Sequence, residues 1–280
     1  MKVGIVGLGL MGASFGRTVR AKGKGEVFGA DKVEDTMLKA YLVGAIDGAL
    51  DEKTTPEIDL LVISVYPRDF KEVAETYLPY MKKGSVVLDF CGIKRTVCKD
   101  MKELSVRYPD ISFIGGHPMA GREYSGIDHS VTTLFEKASM LMIPVRTDIF
   151  TEETIKGFFL SLGFGEVVFT TADTHDEIIS FTSQLCHIVS NAFIKSPVAQ
   201  DHHGFSAGSY RDLTRVARLH PGMWSQLMMD NKDKLKPELD ILIENLKKYS
   251  DALGKGDEKA LERLLAEGND LKLKIDARRK

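Results

Sequence analysis

Short apolar runs rich in β-branched residues alternate with helix-like segments through the first 170 residues of the chain. The predicted strands are 2–6, 26–30, 60–65, 85–90, 112–115, 138–144 and 166–170. Between them, amphipathic spacing predicts helices at 11–22, 33–43, 68–81, 96–105 and 152–162. Such alternation is typical of a parallel sheet that helices cover on both faces. We therefore expect an α/β fold with a doubly wound N-terminal domain.

The strand pattern stops near Asp173, and long amphipathic helices follow it. Across residues 173–195 the apolar side chains recur at helical spacing. A polar stripe follows another face of this predicted helix and consists of Ser180, Gln184, His187 and Asn191. Further helical patterns cover 235–249 and begin again at residue 261. We place a domain boundary at residue 172, so that 1–172 form the α/β domain and 173–280 an all-α domain.

A G-x-G-x-x-G motif directly follows the first predicted strand, where it opens a predicted helix. Its glycines are Gly7, Gly9 and Gly12. Backbone N–H groups at such a helix start can hold a pyrophosphate. Asp31 follows the second strand, at about the distance where a carboxylate accepts hydrogen bonds from an adenosine ribose. The motif predicts a Rossmann-type site that favours NAD, although Lys32 leaves NADP open; the alternative is a plain strand-helix turn with a solvated Asp31.

In a doubly wound sheet the ligand lies across the carboxyl ends of the strands. The loops at 64–67, 89–94 and 115–118 follow predicted strands and are expected to face the nicotinamide. The residues that we assign to the cofactor are Gly7, Gly9, Leu10, Met11, Gly12, Asp31, Ser64, Tyr66 and Cys91. Nothing near Cys91 in the sequence activates its thiol, so we interpret its role there as packing.

His117 follows an apolar run and precedes Pro118, which holds it extended. It is expected to project from a strand end toward the cofactor cleft. A neutral imidazole there can take the proton of a substrate hydroxyl while hydride leaves the carbon that bears this hydroxyl. The alternative is a loop histidine whose nitrogens are satisfied by backbone groups.

Arg211, Arg215 and Arg218 are spaced so that they would share one face of a helix beginning near residue 209. A guanidinium supplies two parallel donors for a carboxylate, so these residues and Arg122 are candidates for holding an acidic substrate. The alternative is a solvated basic face.

Composition and charge change this picture mainly by exclusion. With 280 residues, 43% hydrophobic and 28% charged, the chain has the make-up of an ordinary globular protein. A formal net charge of -2 gives no overall field for recruiting nucleic acid or an anionic membrane. The three cysteines form no C-x-x-C pair, and His202 and His203, as neighbours, would point about 100° apart on a helix, so no metal site is expected. No apolar run approaches a membrane span, and we expect a cytoplasmic enzyme.

Several sequence blocks occur in order over nearly the whole chain. They are Gly7-Leu-Gly-Leu-Met-Gly12, Asp89-Phe-Cys-Gly-Ile-Lys94, Gly116-His-Pro-Met-Ala-Gly-Arg-Glu123, His175-Asp176, Ser183-Gln-Leu-Cys-His187, Tyr210-Arg-Asp-Leu-Thr-Arg215 and Met223-Trp224. Together they resemble the prephenate/arogenate dehydrogenase family. The resemblance implies NAD-dependent oxidative decarboxylation of prephenate to 4-hydroxyphenylpyruvate, or of arogenate to tyrosine, in tyrosine biosynthesis.

The resemblance also implies roles for individual residues. His117 falls on the catalytic histidine of the family, and Arg215 falls on the arginine that holds a substrate carboxylate. The substrate-binding residues that follow from it are Arg122, Glu123, Gln184, His187 and Asp212. Two of the blocks depart from the family pattern, at three positions. Cys91 and Gly92 stand where the family often has glycine and a serine beside the catalytic histidine, and Gln184 replaces a histidine.

The helical half resembles the dimerisation domain of the family, so the expected partners are a small-molecule substrate and a second copy of the chain. One alternative function is a β-hydroxyacid-type dehydrogenase on the same plan, for which Lys195 is the candidate catalytic lysine. Another is an NAD-binding redox sensor without catalysis. Replacement of His117 by Asn should nearly abolish turnover if the chain is a prephenate or arogenate dehydrogenase, and should have little effect if it is a β-hydroxyacid-type dehydrogenase.

Overall fold

A computed structural model of the chain describes residues 1–122, 124–201 and 204–278. The chain forms two compact units, Met1–Asn231 and Lys232–Lys280. The change from sheet to helices that we predict at residue 172 falls inside the first unit. As a domain boundary, residue 172 stays a prediction.

The first unit is built on one eight-stranded sheet. Its strands are β1 (Lys2–Val6), β2 (Glu26–Ala30), β3 (Gly48–Ala49), β4 (Leu60–Ile63), β5 (Val86–Asp89), β6 (Ser112–Pro118), β7 (Ser139–Arg146) and β8 (Glu166–Phe169). Their order is β3-β2-β1-β4-β5-β6-β7-β8. From β1 the strands are added on one side as far as β3, and from β4 onward they are added on the other side of β1. Doubly wound sheets bind ligands at such a switch point in strand order.

The doubly wound α/β fold is confirmed, and its predicted parallel sheet contains one antiparallel strand. β7 pairs antiparallel with β6, with His117 opposite Leu141, whereas the other neighbouring pairs are parallel. Between these strands the chain forms a short 3₁₀ turn at Ile127–His129. A parallel return normally needs a crossover helix, so the chain comes back antiparallel here. β3, with two residues, is too short to have been predicted from alternation.

The helices of the described chain are α1 (Leu10–Ala21), α2 (Glu34–Leu42), α3 (Phe70–Tyr77), α4 (Arg95–Arg107), α5 (Ile149–Ser161), α6 (Ala172–Ile179), α7 (Cys186–Phe193), α8 (Gly208–Thr214), α9 (Pro221–Asp230), α10 (Lys232–Lys255) and α11 (Glu258–Ala277). The helices of the first unit are α1 to α9, and α10 and α11 form the second unit. A π-helical turn, Ser180–Leu185, joins α6 to α7. In the described residues no helix is long and apolar enough to cross a membrane.

Two apolar cores lie on the two faces of the sheet. Successive residues of β4 alternate between them, with Leu60 and Val62 in one cluster and Leu61 and Ile63 in the other. This alternation follows from the period of two along a strand. Because both faces are covered, the central strands carry continuous buried apolar runs. The carboxyl edge of the parallel strands remains as the place for a functional site.

In the first predicted helix of the second half, part of the polar stripe is buried and part of the apolar face is exposed. Ser180 and Gln184 of the polar stripe are buried, whereas the apolar Ile178 and Phe181 are more than half exposed. The π-helical turn inserts an extra residue into this helix, which shifts the faces away from strict 3.6-residue spacing. An apolar face is therefore left uncovered in the single chain.

Candidate active site

The glycine motif forms the turn between β1 and α1. Gly7 has a φ of 89°, and a Cβ there would meet the Ser64 carbonyl oxygen at 2.4 Å. A Cβ on Gly12 would meet the Gly7 carbonyl oxygen at 2.0 Å. In contrast, a Cβ on Gly9 would meet nothing within 4 Å. Gly7 and Gly12 thus serve close packing, and Gly9 lines open space at the helix start.

This open space has the properties of a phosphate site. Gly9 is the N-cap of α1 and provides no side-chain cap for the N–H groups of the first turn. Leu10 and Met11, both half-buried, form that turn. The uncapped N–H groups and the positive end of the helix dipole suit an anionic phosphate. The residues present therefore fit the pyrophosphate of a dinucleotide.

Asp31 lies beside this turn, directly after β2. Its Oδ2 accepts a hydrogen bond from the Leu8 N–H at 2.8 Å, and its Oδ1 accepts one from the Val33 N–H at 3.0 Å. Both bonds leave acceptor capacity on the carboxylate. The loop geometry thus holds Asp31 where a ribose can donate to it.

Ser64 and Tyr66 lie in the loop after β4. The Ser64 N–H donates to the Val6 carbonyl at 2.7 Å, which places this loop against the end of β1. Ser64 is half-buried and Tyr66 is exposed. Both side chains therefore stand at the carboxyl edge of the sheet, near the glycine turn.

Two of the three cysteines are buried in the first unit. Burial raises the pKa of Cys91 well above its ordinary value and that of Cys98 to about 12. The Cys91 thiol donates to the Val65 carbonyl at 3.4 Å. Both thiols thus stay protonated, and the geometry of Cys91 supports the packing interpretation. Cys186 is exposed.

A buried ion pair between Lys94 and Asp89 supports the strand that carries His117. Both side chains are fully buried and in direct contact. Lys94 Nζ also donates to the Gly116 carbonyl at 2.6 Å, and the Gly116 N–H donates to Asp89 Oδ1 at 3.0 Å. The pair therefore clamps β6 one residue before His117. The sequence did not predict this ion pair, although Asp89 and Lys94 are the first and last residues of one of the quoted blocks.

His117 lies within β6, two residues beyond the predicted end of that strand, and is half-buried. Its Nδ1 is 2.8 Å from His175 Nε2, and His175 Nδ1 is 2.7 Å from Asp176 Oδ1. His175 and Asp176 are buried at the start of the helical segment, on α6. The structure thus joins His117 to a histidine and a carboxylate that we quoted as a block but did not assign to the site.

The environment lowers the pKa of both histidines. Burial lowers the pKa of His117 well below 6.5, and His175 and the Lys94 ammonium act in the same direction. Burial also lowers the pKa of His175, against the opposing effect of Asp176. Burial alone would raise the pKa of Asp176, but hydrogen bonds from His175 and from the backbone of Arg95 and Lys94 outweigh it and lower that pKa. Neutral imidazoles beside an ionised carboxylate result.

His187 lies farther along the helical segment and packs on an indole. Its ring stacks on Trp224 with centroids 3.7 Å apart, and its Nδ1 is 2.8 Å from the Ser183 carbonyl. Burial lowers the pKa of His187, the Ser183 carbonyl raises it, and the positive charge of Arg215 lowers it again. Arg215 and His187 are therefore electrostatic neighbours, as two residues of one substrate pocket would be.

The prediction that three arginines share one helix face is wrong. α8 ends at Thr214, so that Arg215 is its C-cap and Arg218 lies beyond the helix. Arg218 instead places its guanidinium 5.5 Å from the centre of the Tyr124 ring. Helical spacing of like side chains does not reveal where a helix stops, and here the chain turns toward the His220 cap of α9.

The remaining substrate candidates have different surroundings. Arg122 and Asp212 are exposed. Gln184 is buried: its Nε2 donates to the Leu227 carbonyl at 3.0 Å, and its Oε1 accepts from Asn231 Nδ2 at 2.8 Å. Its amide thus links the π-helical turn to the end of α9. Glu123 lies outside the described residues, as do His202 and His203.

Within 1–122, 124–201 and 204–278, no group of three or more His, Cys, Asp or Glu side chains is arranged to hold a metal ion.

Two family models match the chain. The one described as prephenate dehydrogenase, nucleotide-binding domain, matches residues 15–163, and the one described as prephenate dehydrogenase, dimerization domain, matches residues 171–267. The two matches meet close to the predicted change from sheet to helices.

Curated relatives are similar over most of their length. A cyclohexadienyl dehydrogenase of Zymomonas mobilis is 29% identical, with 91% of this chain and 89% of that protein covered. A prephenate dehydrogenase of Bacillus subtilis is 26% identical, with 99% of this chain and 76% of that protein covered.

Solved structures share the architecture. The prephenate dehydrogenase of A. aeolicus in complex with hydroxyphenyl propionate and NAD+ has a TM-score of 0.83 and 26% identity, and 98% of each chain is covered. Synechocystis arogenate dehydrogenase has a TM-score of 0.79 at 24% identity, with 98% and 100% covered, and shows the fold alone. A 3-hydroxyisobutyrate dehydrogenase of Salmonella typhimurium shares only the fold, with a TM-score of 0.61 at 16% identity and 90% and 95% covered.

Proposed function

The chain belongs to the prephenate dehydrogenase family, and from this premise we propose that it oxidatively decarboxylates prephenate to 4-hydroxyphenylpyruvate, or arogenate to tyrosine, with NAD. The names of its curated relatives, prephenate and cyclohexadienyl dehydrogenase, support this reaction. The structural relative that holds NAD+ together with a hydroxyphenyl compound supports both the cofactor and the type of substrate.

One observation carries the proposal at the level of chemistry. His117 stands at the carboxyl edge of the sheet with Nδ1 occupied by His175, so its Nε2 remains for a substrate hydroxyl. The lowered pKa of His117 keeps the imidazole neutral at neutral pH, as a general base must be. The glycine turn and Asp31 lie at the same edge of the same sheet.

The proposed reaction needs one base, His117, and one hydride acceptor, NAD+. His117 takes the proton from the hydroxyl on C4 of the substrate ring as the C4–H bond breaks. When NAD+ is bound, its nicotinamide would supply the acceptor for the hydride. The bond from C1 to its carboxylate then breaks, carbon dioxide leaves, and the electron pair completes the aromatic ring. The oxygen on C4 becomes a phenolate that recovers the proton from His117.

We assign the other residues to binding. Gly7, Gly9 and Gly12 with Leu10 and Met11 would hold the pyrophosphate, Asp31 the ribose, and Ser64 and Tyr66 the nicotinamide end, with Cys91 packed behind. Arg215 would hold a substrate carboxylate. The other residues that we assign to the substrate are Arg122, Glu123, His187 and Asp212. Gln184, which is buried, would support this part of the substrate pocket from the protein interior. The charge of Arg215 acting on His187 supports placing both in one pocket.

The proposed partner is a second copy of the chain. The model that matches residues 171–267 describes a dimerization domain, and the exposed Ile178 and Phe181 lie within that range. A homodimer would cover this apolar face. For the compartment we propose the cytoplasm, in keeping with three free cysteines.

The test is formation of NADH by the purified protein with NAD+ and either prephenate or arogenate. A parallel reaction with NADP+ measures the cofactor preference that Asp31 predicts. NADH should form with at least one substrate, and H117N should lose turnover while still binding NAD+. Protein that binds NAD+ but turns over neither substrate would contradict the proposal and favour the sensor.

The β-hydroxyacid-type alternative is not favoured by the comparisons. Lys195, its candidate catalytic residue, is exposed just beyond α7. The 3-hydroxyisobutyrate dehydrogenases resemble this chain only in fold. That alternative would leave H117N active.

A further inference from the structure

His117, His175 and Asp176 form a linear chain of side-chain hydrogen bonds. His117 Nδ1 lies 2.8 Å from His175 Nε2, and His175 Nδ1 lies 2.7 Å from Asp176 Oδ1. His117 comes from β6 and the other two residues from α6. Only His117, at the outer end of the chain, is in a position to touch substrate, since His175 and Asp176 are buried.

The inner end of this chain has a fixed polarity. Asp176 accepts backbone hydrogen bonds from the Lys94 N–H at 2.7 Å and the Arg95 N–H at 2.9 Å, at the start of α4. Arg95 Nε donates a further bond to it at 3.2 Å. A carboxylate with three donors is held ionised and accepts only. The nitrogen facing it, His175 Nδ1, must therefore carry a proton.

This polarity passes outward one ring at a time. A neutral imidazole has one N–H and one acceptor nitrogen. Since His175 donates through Nδ1, its Nε2 is the acceptor, and His117 Nδ1 must be the donor across the 2.8 Å contact. The lone pair of His117 is then on Nε2. Which nitrogen of a histidine carries the proton is set by the partner of the other nitrogen.

We propose that His175, anchored by Asp176, is a positioning residue that fixes His117 in the Nδ1-protonated tautomer and so leaves Nε2 as the base. The inference rests on the proposed function only in naming what that base acts on. His175 is buried behind His117 and is therefore not placed to touch a substrate.

Burial keeps both rings neutral, since it lowers the pKa of His117 and of His175 and outweighs the effect of the Asp176 and Asp89 carboxylates, which raise the pKa of His175. Lys94 and Asp89 lie behind β6, and Asp176 and Arg95 lie at the junction of α4 and α6. The Lys94 ammonium disfavours a second positive charge on either ring, and burial acts in the same direction. The relay of acceptor and donor roles needs this neutrality, because an imidazolium has no acceptor nitrogen.

Two variants of His175 separate the relay from simple packing. In H175Q the amide Oε1 falls near the position of Nε2 and still offers an acceptor to His117 Nδ1. In H175N the amide falls near the position of Nδ1, so that it bonds Asp176 and leaves His117 Nδ1 without its acceptor. Both variants replace the ring by an amide, and they differ in which contact they keep.

We expect H175N to lower kcat by about 10- to 100-fold, because loss of the correct tautomer removes the base from part of the molecules. The KM for NAD+ should change by less than about twofold in either variant. H175Q should retain most of the wild-type kcat. Equal losses in the two variants, or full activity of H175N, would overturn the proposal.

A spectroscopic readout does not depend on turnover. In protein labelled with ¹⁵N-histidine, the H117N spectrum identifies the two nitrogens of His117 by difference. We expect a protonated Nδ1 and an unprotonated Nε2 in the wild type and in H175Q, with the opposite tautomer appearing in H175N. A wild-type His117 protonated on Nε2 would overturn the inference, even where H175N does not fold. If neither prephenate nor arogenate is consumed, the proposed function fails, and the NMR result still decides the inference.

Discussion

At the scale of single residues, the site depends on charges buried beneath His117. Lys94 and Asp89 are both fully buried and hold Gly116 from its two backbone sides. Two ions withdrawn from water are costly unless they stay paired, so the pair acts as one unit. Because the pair holds Gly116, it fixes the backbone one residue before His117 and so holds the imidazole at a defined place at the strand end.

Removal of one partner should therefore be severe. In Lys94→Met the Asp89 carboxylate is left buried without its counter-charge, which we expect to lower the free energy of unfolding by about 3–5 kcal/mol. Urea denaturation measures this value. The control is Lys83→Met, which removes an exposed partner of Asp110 and should cost about 0–1 kcal/mol. Similar losses in both variants would contradict the role of the buried pair.

The acid limb of the activity reports His117. The active form is the neutral imidazole, and its pKa in the folded protein lies well below 6.5. We therefore expect kcat/KM to stay at its plateau as the pH falls through 6.5 and to decline only when the lower pKa is reached. A pH profile of kcat/KM with prephenate or arogenate tests this. A midpoint at or above pH 6.5 would show either that His117 is not the titrating base or that its imidazole is not shielded from water.

At the scale of secondary-structure elements, sequence patterns located most of the fold. The bounds of β1 and β2 agree with prediction at both ends. The direction of β7 was not predictable, because apolar alternation is the same for parallel and antiparallel strands. The π-helical turn was also missed, since one extra residue in a helix leaves no mark in composition. The pairing of His117 with His175 joins residues 58 apart, which only the fold brings together.

The glycine turn offers a test in which packing and binding separate. Gly9→Ala adds a methyl group that meets no protein atom within 4 Å, so the melting temperature should change by no more than about 2 °C. If phosphate approaches the backbone at Gly9, that methyl group should raise the Kd for NADH at least about tenfold. Calorimetric titration measures the Kd.

The matched control for Gly9→Ala is Gly157→Ala on α5, where a Cβ also meets nothing within 4 Å. It should leave the Kd for NADH unchanged and raise stability by about 0.5–1 kcal/mol through helix propensity. An unchanged Kd in Gly9→Ala would remove this turn from the cofactor site.

At the scale of the whole molecule, polarity is inverted on the helical segment that carries His175 and His187. Ser180 and Gln184 of its polar stripe are buried, whereas its apolar Ile178 and Phe181 are more than half exposed. Such an inversion is stable when a second copy covers the apolar side chains. In the proposed dimer the same segment would carry both the proposed site residues and the contact between the two copies.

We expect the protein to sediment as a dimer at micromolar concentration. The double variant Ile178→Glu and Phe181→Glu should shift it to the monomer, because two buried unpaired carboxylates are costly in an apolar interface. Lys102→Glu, on an exposed position of α4, is the control and should stay dimeric. Sedimentation velocity distinguishes the species. A wild-type monomer at all concentrations would contradict the dimer.

The different exposure of the three thiols provides a chemical test of the proposed dimer. Cys91 and Cys98 are buried, whereas Cys186 is exposed. The Sγ of Cys186 lies 3.6 Å from the Phe181 carbonyl oxygen. A maleimide reagent would therefore modify one position per native chain, at the edge of the apolar face. If a second copy covers that face, the labelling rate becomes a function of protein dilution. The labelling rate of Cys186 would thus measure the monomer-dimer equilibrium without an engineered cysteine.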